Sequence, residues 1–240
     1  MPRFFKEDFE NAPFISGGDA NHIIKSLRMR VGEKLVVCDT KGQDFNCEIA
    51  GINGDEVSFK ILSKTVTASE PNVKVTLFQC LPKGDKLDSV TKQSVELGVY
   101  EIRPVLSERC ISRPDKKQAS KKTERLQKIA VEAAGQSGRG ILPQVFEPIT
   151  YKQMLDELKN YDIALFFYEL GGKPMEQIPL ENKKKIAVII GSEGGFSVEE
   201  ATAAKELGAV AATLGPRILR TETAPLAALS NIMLITGNMK

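Results

Sequence analysis

One histidine, no tryptophan and only four cysteines in 240 residues narrow the chemistry open to this chain. His22 stands alone, and Cys38, Cys47, Cys80 and Cys110 form no Cys-x-x-Cys pair. The clustered sulfur and imidazole ligands of a zinc site are therefore missing, and no metal is expected. The scattered cysteines do not read as a disulfide framework either, and a cytoplasmic chain of this size needs none. The longest apolar run falls far short of the ~20 residues that span a bilayer. The opening Met-Pro-Arg-Phe-Phe-Lys-Glu-Asp carries charge where a signal peptide would be apolar. We expect a cytoplasmic protein with no membrane partner. Scarce aromatic residues (6%) speak against a stacking platform for long single-stranded nucleic acid.

What is present suits a globular protein of one large or two modest domains, with 42% hydrophobic and 27% charged residues. The net charge of +2 is unevenly spread. Residues 1–70 hold 9 basic and 11 acidic side chains, residues 71–150 hold 14 and 9, and residues 151–240 hold 10 and 11. A polyanion would land on the middle third.

The first seventy residues read as a small β-rich domain. Asp19 can cap a short helix carrying Ile23, Ile24 and Leu27, ended by Gly32. Leu35–Cys38 suits a strand, and Phe45, Cys47 and Ile49, then Val57, Phe59 and Ile61, repeat with the period of half-buried strands. Asn53-Gly54 between them predicts a type I′ hairpin. Ser63 to Asn72, with Pro71, is the expected linker, giving domains 1–70 and 71–240.

Beyond it strands alternate with helices. Strands are expected at Val73–Leu77, Ile102–Leu106, Ile163–Tyr168, Ile186–Ile190 and Val210–Leu214. Helices are expected over Leu87–Leu97, about Gln118–Ser137, Val198–Leu207 and from about Glu222. Such alternation predicts an α/β fold with a mostly parallel sheet covered on both faces.

Three loops follow apolar strands: Glu169-Leu-Gly-Gly172, Gly191-Ser-Glu-Gly-Gly-Phe-Ser197 and Leu214 to Pro225. Glycines at a strand's C-terminal end let backbone groups approach a ligand, and open α/β sheets bind ligands at that edge. The bland alternative for the second loop is a tight turn in which Ser197 and Glu200 form a capping box. The third packs Arg217, Arg220, Thr221, Glu222 and Thr223 before a helix, where a cap with solvated arginines would also suffice. Neither loop has the Gly-Lys-Ser/Thr of a phosphate-binding loop, the spacing of a dinucleotide fingerprint or a hydrolase Gly-x-Ser-x-Gly elbow.

Ile190-Gly-Ser-Glu-Gly-Gly-Phe-Ser197 and Leu214-Gly-Pro-Arg-Ile-Leu-Arg-Thr-Glu-Thr-Ala224 resemble the signature of the RsmE family, SPOUT-class methyltransferases of 16S ribosomal RNA. His22 to Glu33 is similar to that family's N-terminal PUA-like RNA-binding module. Leu81-Pro-Lys-Gly-Asp-Lys86, Glu96-Leu-Gly-Val99, Ser107-Glu-Arg109 and Arg125 to Arg139 extend the likeness over nearly the whole chain. Two positions depart from it: Ser192 stands where the family usually has proline, and Gly135 where it usually has glutamate.

The resemblance implies methylation of uridine N3 in small-subunit RNA with S-adenosyl-L-methionine as cofactor. It also implies a homodimer and a SPOUT-type sheet with a trefoil knot, a rare exception to unknotted chains, beside a PUA-like β-barrel. By carry-over, Leu170, Gly191, Glu193, Gly195, Leu214, Gly215, Leu219 and Thr223 surround the cofactor, and Arg220 and Glu222 face the base. With no histidine after His22, any general base is a carboxylate or water, Glu222 first and Glu193 second. Arg28, Arg30, Lys83, Arg109, Lys121, Lys122, Arg125 and Arg139 are the cations expected on RNA. The seven basic residues between Arg113 and Lys128 could equally be a solvated helix face. The rival functions are a SPOUT enzyme for another RNA base and a non-catalytic ribosome-assembly protein. A nucleotide-binding transferase or hydrolase would need a phosphate-binding lysine or metal carboxylates beside a glycine loop.

Overall fold

The computed structural model of the chain describes residues 1–239. It divides into two compact units. The first holds Met1–Glu70 and also takes in Ala134–Leu142, and the second holds Pro71–Ala133 and the chain from Pro143 onward. Among the described residues no helix is long and apolar enough to cross a membrane.

The first unit is a five-stranded curled sheet built from β1 (Arg3–Phe5), β2 (Phe14–Ser16), β3 (Lys34–Cys38), β4 (Gln43–Asn53) and β5 (Glu56–Val66), in the order β1-β3-β4-β5-β2. Leu35, Val37, Phe45, Cys47, Ile49, Val57 and Phe59 alternate inward around Phe9, Ile15 and Ile23. Register shifts at Asn46/Cys47 and Ile49/Gly51 bend the long β4–β5 ribbon, as bulges do. The turn differs from the type I′ expectation. Asn53 pairs with Glu56 in the ladder, leaving Gly54-Asp55 as the two-residue loop, and of these only Gly54 has positive φ (63°). Glycine at the first central position is the pattern of a II′ turn, which matches strand twist equally well. The short helix also differs. α1 (Gly18–Asn21) passes into a π-helical turn, His22–Ser26, and stops before Arg28 at φ 53° rather than at Gly32. Gly17 is the residue ahead of its first turn, and Asp19 lies inside that turn, where its charge favours the helix dipole.

The second unit is an eight-stranded, wholly parallel sheet. Its strands are β6 (Lys74–Cys80), β7 (Glu101–Leu106), β8 (Gln144–Val145), β9 (Ile149–Thr150), β10 (Ile163–Phe167), β11 (Lys173–Pro174), β12 (Lys185–Ile190) and β13 (Val210–Thr213). They run in the order β11-β13-β10-β12-β6-β7-β8, with β9 also on β7. β12 lies in the middle, and Ile186 to Ile190 are buried throughout, as a strand covered on both faces requires. The helices are α2 (Lys86–Glu96), α3 (Lys116–Ser137, whose end from Ala134 clusters with the first unit), α4 (Tyr151–Glu157), α5 (Val198–Glu206) and α6 (Ala224–Ile235). Capping boxes start α4 (Thr150 with Gln153) and α5 (Ser197 with Glu200), each satisfying two backbone N–H groups that a helix start leaves free. After β13 near one edge, the chain returns to the middle of the sheet, where α6 packs on α2, β6 and β12.

Candidate active site

β10, β12 and β13 end side by side. Phe167 pairs with Ile190 on one side and with Ala212 on the other. The three loops that leave them therefore start from one edge and enclose a cavity of about 1070 Å³. Leu170 comes from the first loop, Gly191, Glu193 and Gly195 from the second, and Leu214, Gly215, Leu219, Arg220 and Glu222 from the third. Thr223 is the exception among the residues expected here. It does not line the cavity but sits exposed ahead of α6 with a helical backbone and no side-chain cap.

The second loop is a tight turn in which the Gly195 N–H donates to the Ser192 carbonyl at 3.0 Å. Gly195 has φ 65°, and a Cβ there would lie 2.3 Å from Glu169 Oε1. Gly191 has Phe196 against it: a Cβ would meet the ring at 3.0 Å, and that ring packs 4.5 Å from Phe166 in the core. The capping box is present and orders the far side of the glycine turn that lines the cavity.

The second and third loops are tied to each other. Thr221 Oγ1 donates to the Gly191 carbonyl at 2.7 Å, and buried Gln79 Nε2 donates to Thr221 Oγ1 at 3.0 Å. Gln79 Oε1 and Ser192 Oγ are buried without a hydrogen-bond partner. The Ser192 hydroxyl has only the Cys110 sulfur near it, a weak partner.

Charge at the mouth is organised by a residue the sequence reading did not single out. Lys86 Nζ, at the start of α2, lies 2.7 Å from Glu193 Oε1 and 3.5 Å from Glu222 Oε2. Burial opposes the Glu193 charge, but hydrogen bonds from Lys86 and from backbone N–H groups outweigh it and hold the carboxyl below the ordinary range. Arg220 is exposed, lines the cavity and makes no side-chain hydrogen bond or ion pair among the described residues. Glu222 Oε2 is buried, with no hydrogen bond shorter than its 3.5 Å ion pair to Lys86.

Residues 69–233 match the RNA methyltransferase domain family, and residues 15–62 match the RNA methyltransferase PUA domain family. The protein named ribosomal RNA small subunit methyltransferase E in Bacillus subtilis (strain 168) is 36% identical, over 97% of this chain and 96% of that one. Its namesake in Aquifex aeolicus (strain VF5) is 33% identical over 97% and 99%. This chain belongs to the ribosomal RNA small subunit methyltransferase E family. A crystal structure of the Neisseria gonorrhoeae member, bound to S-adenosyl methionine, superposes with a TM-score of 0.87 at 34% identity over 98% of each chain. The SPOUT-type α/β unit and PUA-like unit are the fold of this family.

The cations expected to meet RNA divide within this family member. Arg28 and Arg30 are exposed beside the π-helical turn of the first unit. In the second unit Lys83, Arg109 and Lys121 are exposed and Lys122 is half-buried. Arg125 bridges Asp85 and Asp88 at 3.0 and 2.9 Å while remaining exposed. Arg139 is a correction. It is 2% exposed, and its guanidinium forms a two-pronged pair with Glu70 at 2.9 and 3.0 Å. A buried arginine must keep such a partner, so it braces the first unit and is withdrawn from RNA.

Proposed function

We propose that this protein transfers a methyl group from S-adenosylmethionine to N3 of a uridine in small-subunit (16S) ribosomal RNA. It does so as a cytoplasmic homodimer. The observation that carries the reading is one cavity closed by three strand-end loops, with a hydrogen-bond-free carboxylate oxygen and an unpaired arginine on its wall.

The cavity fits the cofactor. Its volume of about 1070 Å³ lies at the upper end of small-molecule clefts, ~1,000 Å³. Gly191, Gly195 and Gly215 bring backbone rather than side chains to the cavity, and Leu170, Leu214 and Leu219 line apolar wall. When bound, S-adenosylmethionine supplies an electrophilic methyl group on a sulfonium. The chain's own residues prepare the nucleophile. Uracil N3 carries a proton, and Glu222 Oε2 is the acceptor with unfilled lone pairs to take it. Glu193, held ionised by Lys86, is the poorer base. As the proton leaves, charge spreads to the flanking carbonyl oxygens, where the Arg220 guanidinium stabilises it.

Exposed Leu170 (77%) and Ile218 (84%) at the cavity mouth support a second copy of the chain covering it. The exposed lysines of α3 support the RNA partner. Single-turnover methyl transfer at saturating cofactor and RNA tests the chemistry. Arg220→Ala should slow it by about a hundredfold or more, with cofactor affinity nearly unchanged. A near-normal rate would mean that alignment alone drives transfer.

A further inference from the structure

Lys86 has no part in the mechanism above, yet it is held in place on the cavity wall. Its Nζ donates to Glu193 Oε1 at 2.7 Å, and both Glu193 oxygens accept from the Lys83 backbone N–H at 3.3 Å. The lysine is thus anchored to the backbone through Glu193, and that hydrogen bond holds its ammonium above the ordinary lysine range. One of its three N–H donors is engaged by Glu193 and a second lies toward Glu222 at 3.5 Å, which leaves the third for a ligand.

Glu222 Oε2 is in the complementary state. It is buried, and Lys86 stands 3.5 Å away, an ion-pair distance that leaves the oxygen without a hydrogen bond. A buried acceptor without a donor is unfavourable until one arrives. Lys86 pairs unequally with the two carboxylates, at 2.7 Å to Glu193 and 3.5 Å to Glu222. The looser Glu222 contact is the one that a donor and acceptor on a ligand can replace.

We infer that Lys86 and Glu222 together read the edge of the target base, Lys86 donating to a ring carbonyl while Glu222 Oε2 accepts from the adjacent N–H. The inference rests on the reading of this site as a uridine N3 methyltransferase. Uracil presents carbonyl, N–H and carbonyl in sequence, so it matches Lys86 and Glu222, with Arg220 available on the same wall for the second carbonyl. Cytosine inverts two of the three contacts: its N3 lone pair would face the carboxylate and its amino group the ammonium. Guanine offers carbonyl and N–H, but its amino group would face Arg220. Lys86 is therefore a specificity-determining residue, and rejection of cytosine by repulsion is as much its task as attraction of uracil.

The experiment uses the full-length protein loaded with S-adenosylhomocysteine, which binds in the cofactor's place without transferring a methyl group. Mass spectrometry of the wild-type product first locates the methylated uridine. Small subunits carrying uridine or cytidine at that position then compete for the protein. Wild type should prefer uridine by about tenfold or more, the scale of a good two-point base contact. Lys86→Met should lower the ratio severalfold and leave the part that Glu222 contributes, Lys86→Gln should do likewise, and Lys86→Arg should keep most of the preference. A wild-type ratio near one overturns the inference, as does an unchanged ratio in Lys86→Met and Lys86→Gln. Slower transfer with an unchanged ratio also overturns it, since Lys86 would then only neutralise carboxylates. If wild type methylates no uridine in the small subunit, the functional reading itself fails, which is a separate result.

Discussion

Gly195 sits in the turn of the second loop, against the neighbouring loop. At φ 65° a branched side chain is strained, and any Cβ would also strike Glu169 of the neighbouring loop at 2.3 Å. Gly195→Val should therefore abolish S-adenosylmethionine binding by calorimetry while far-ultraviolet circular dichroism stays native. Unchanged affinity would remove the second loop from the cofactor site. Single residues were unevenly legible in the sequence. The loops carrying Gly191, Gly195, Arg220 and Glu222 were legible because glycines and charges crowd strand ends, and the family resemblance singled out the residues within them. Lys86 closes one of the motifs shared with the family, but its contact with Glu193 across 107 positions leaves no local signal. Thr223 and Arg139 went wrong for related reasons. A threonine beside a helix start can point either way, and Arg139 is withdrawn from solvent by a glutamate 69 positions away.

At the scale of elements, α3 is where charge and packing separate. Leu126, Ala130, Ala133 and Ala134 are buried along it, while Lys116, Lys117 and Lys121 face solvent and Lys122 is half-buried. Replacing these four lysines with glutamine should weaken RNA binding and lower the log–log salt slope by about 0.7–0.9 for each phosphate that is no longer neutralised. An unchanged slope would leave them a solvated face. Gly135 in the same helix makes no close approach: a Cβ would meet the Phe5 ring at 3.7 Å, an ordinary van der Waals distance. Gly135→Ala should raise stability in urea by up to about 1 kcal/mol, the helix-propensity difference, and a decrease would show that the glycine serves a purpose the geometry does not reveal. Most of the longer elements were legible because apolar period 2 or 3.6 needs several residues to register. β1, β2, β8, β9 and β11 are two or three residues long, too short for any period, and take their form from the sheets they join. α4 was missed although Thr150-x-x-Gln153 is a capping-box spacing.

For the whole molecule, the parallel class of the large sheet followed from alternating strands and helices, but its order did not. Nothing in the local sequence says that β12 lies between β10 and β6, or that α6 returns to the middle of the sheet. That return brings Thr221 onto the Gly191 carbonyl and makes one cavity from loops that begin more than twenty residues apart. Likewise, Ala134–Leu142 joining the first unit depends on Glu70, whose carboxylate accepts from Arg139 and from the backbone N–H groups of Gly140 and Ile141. Such pairings lie beyond any window of local pattern. The proposed activity stands on one reaction, and a direct assay for its product is the test. Purified protein is incubated with isotope-labelled S-adenosylmethionine and small ribosomal subunits lacking the modification, and the RNA is digested to nucleosides for mass spectrometry. Label should appear in 3-methyluridine, and about a hundredfold or more slowly with Arg220→Ala. Label in another nucleoside, or none, would contradict the proposed activity.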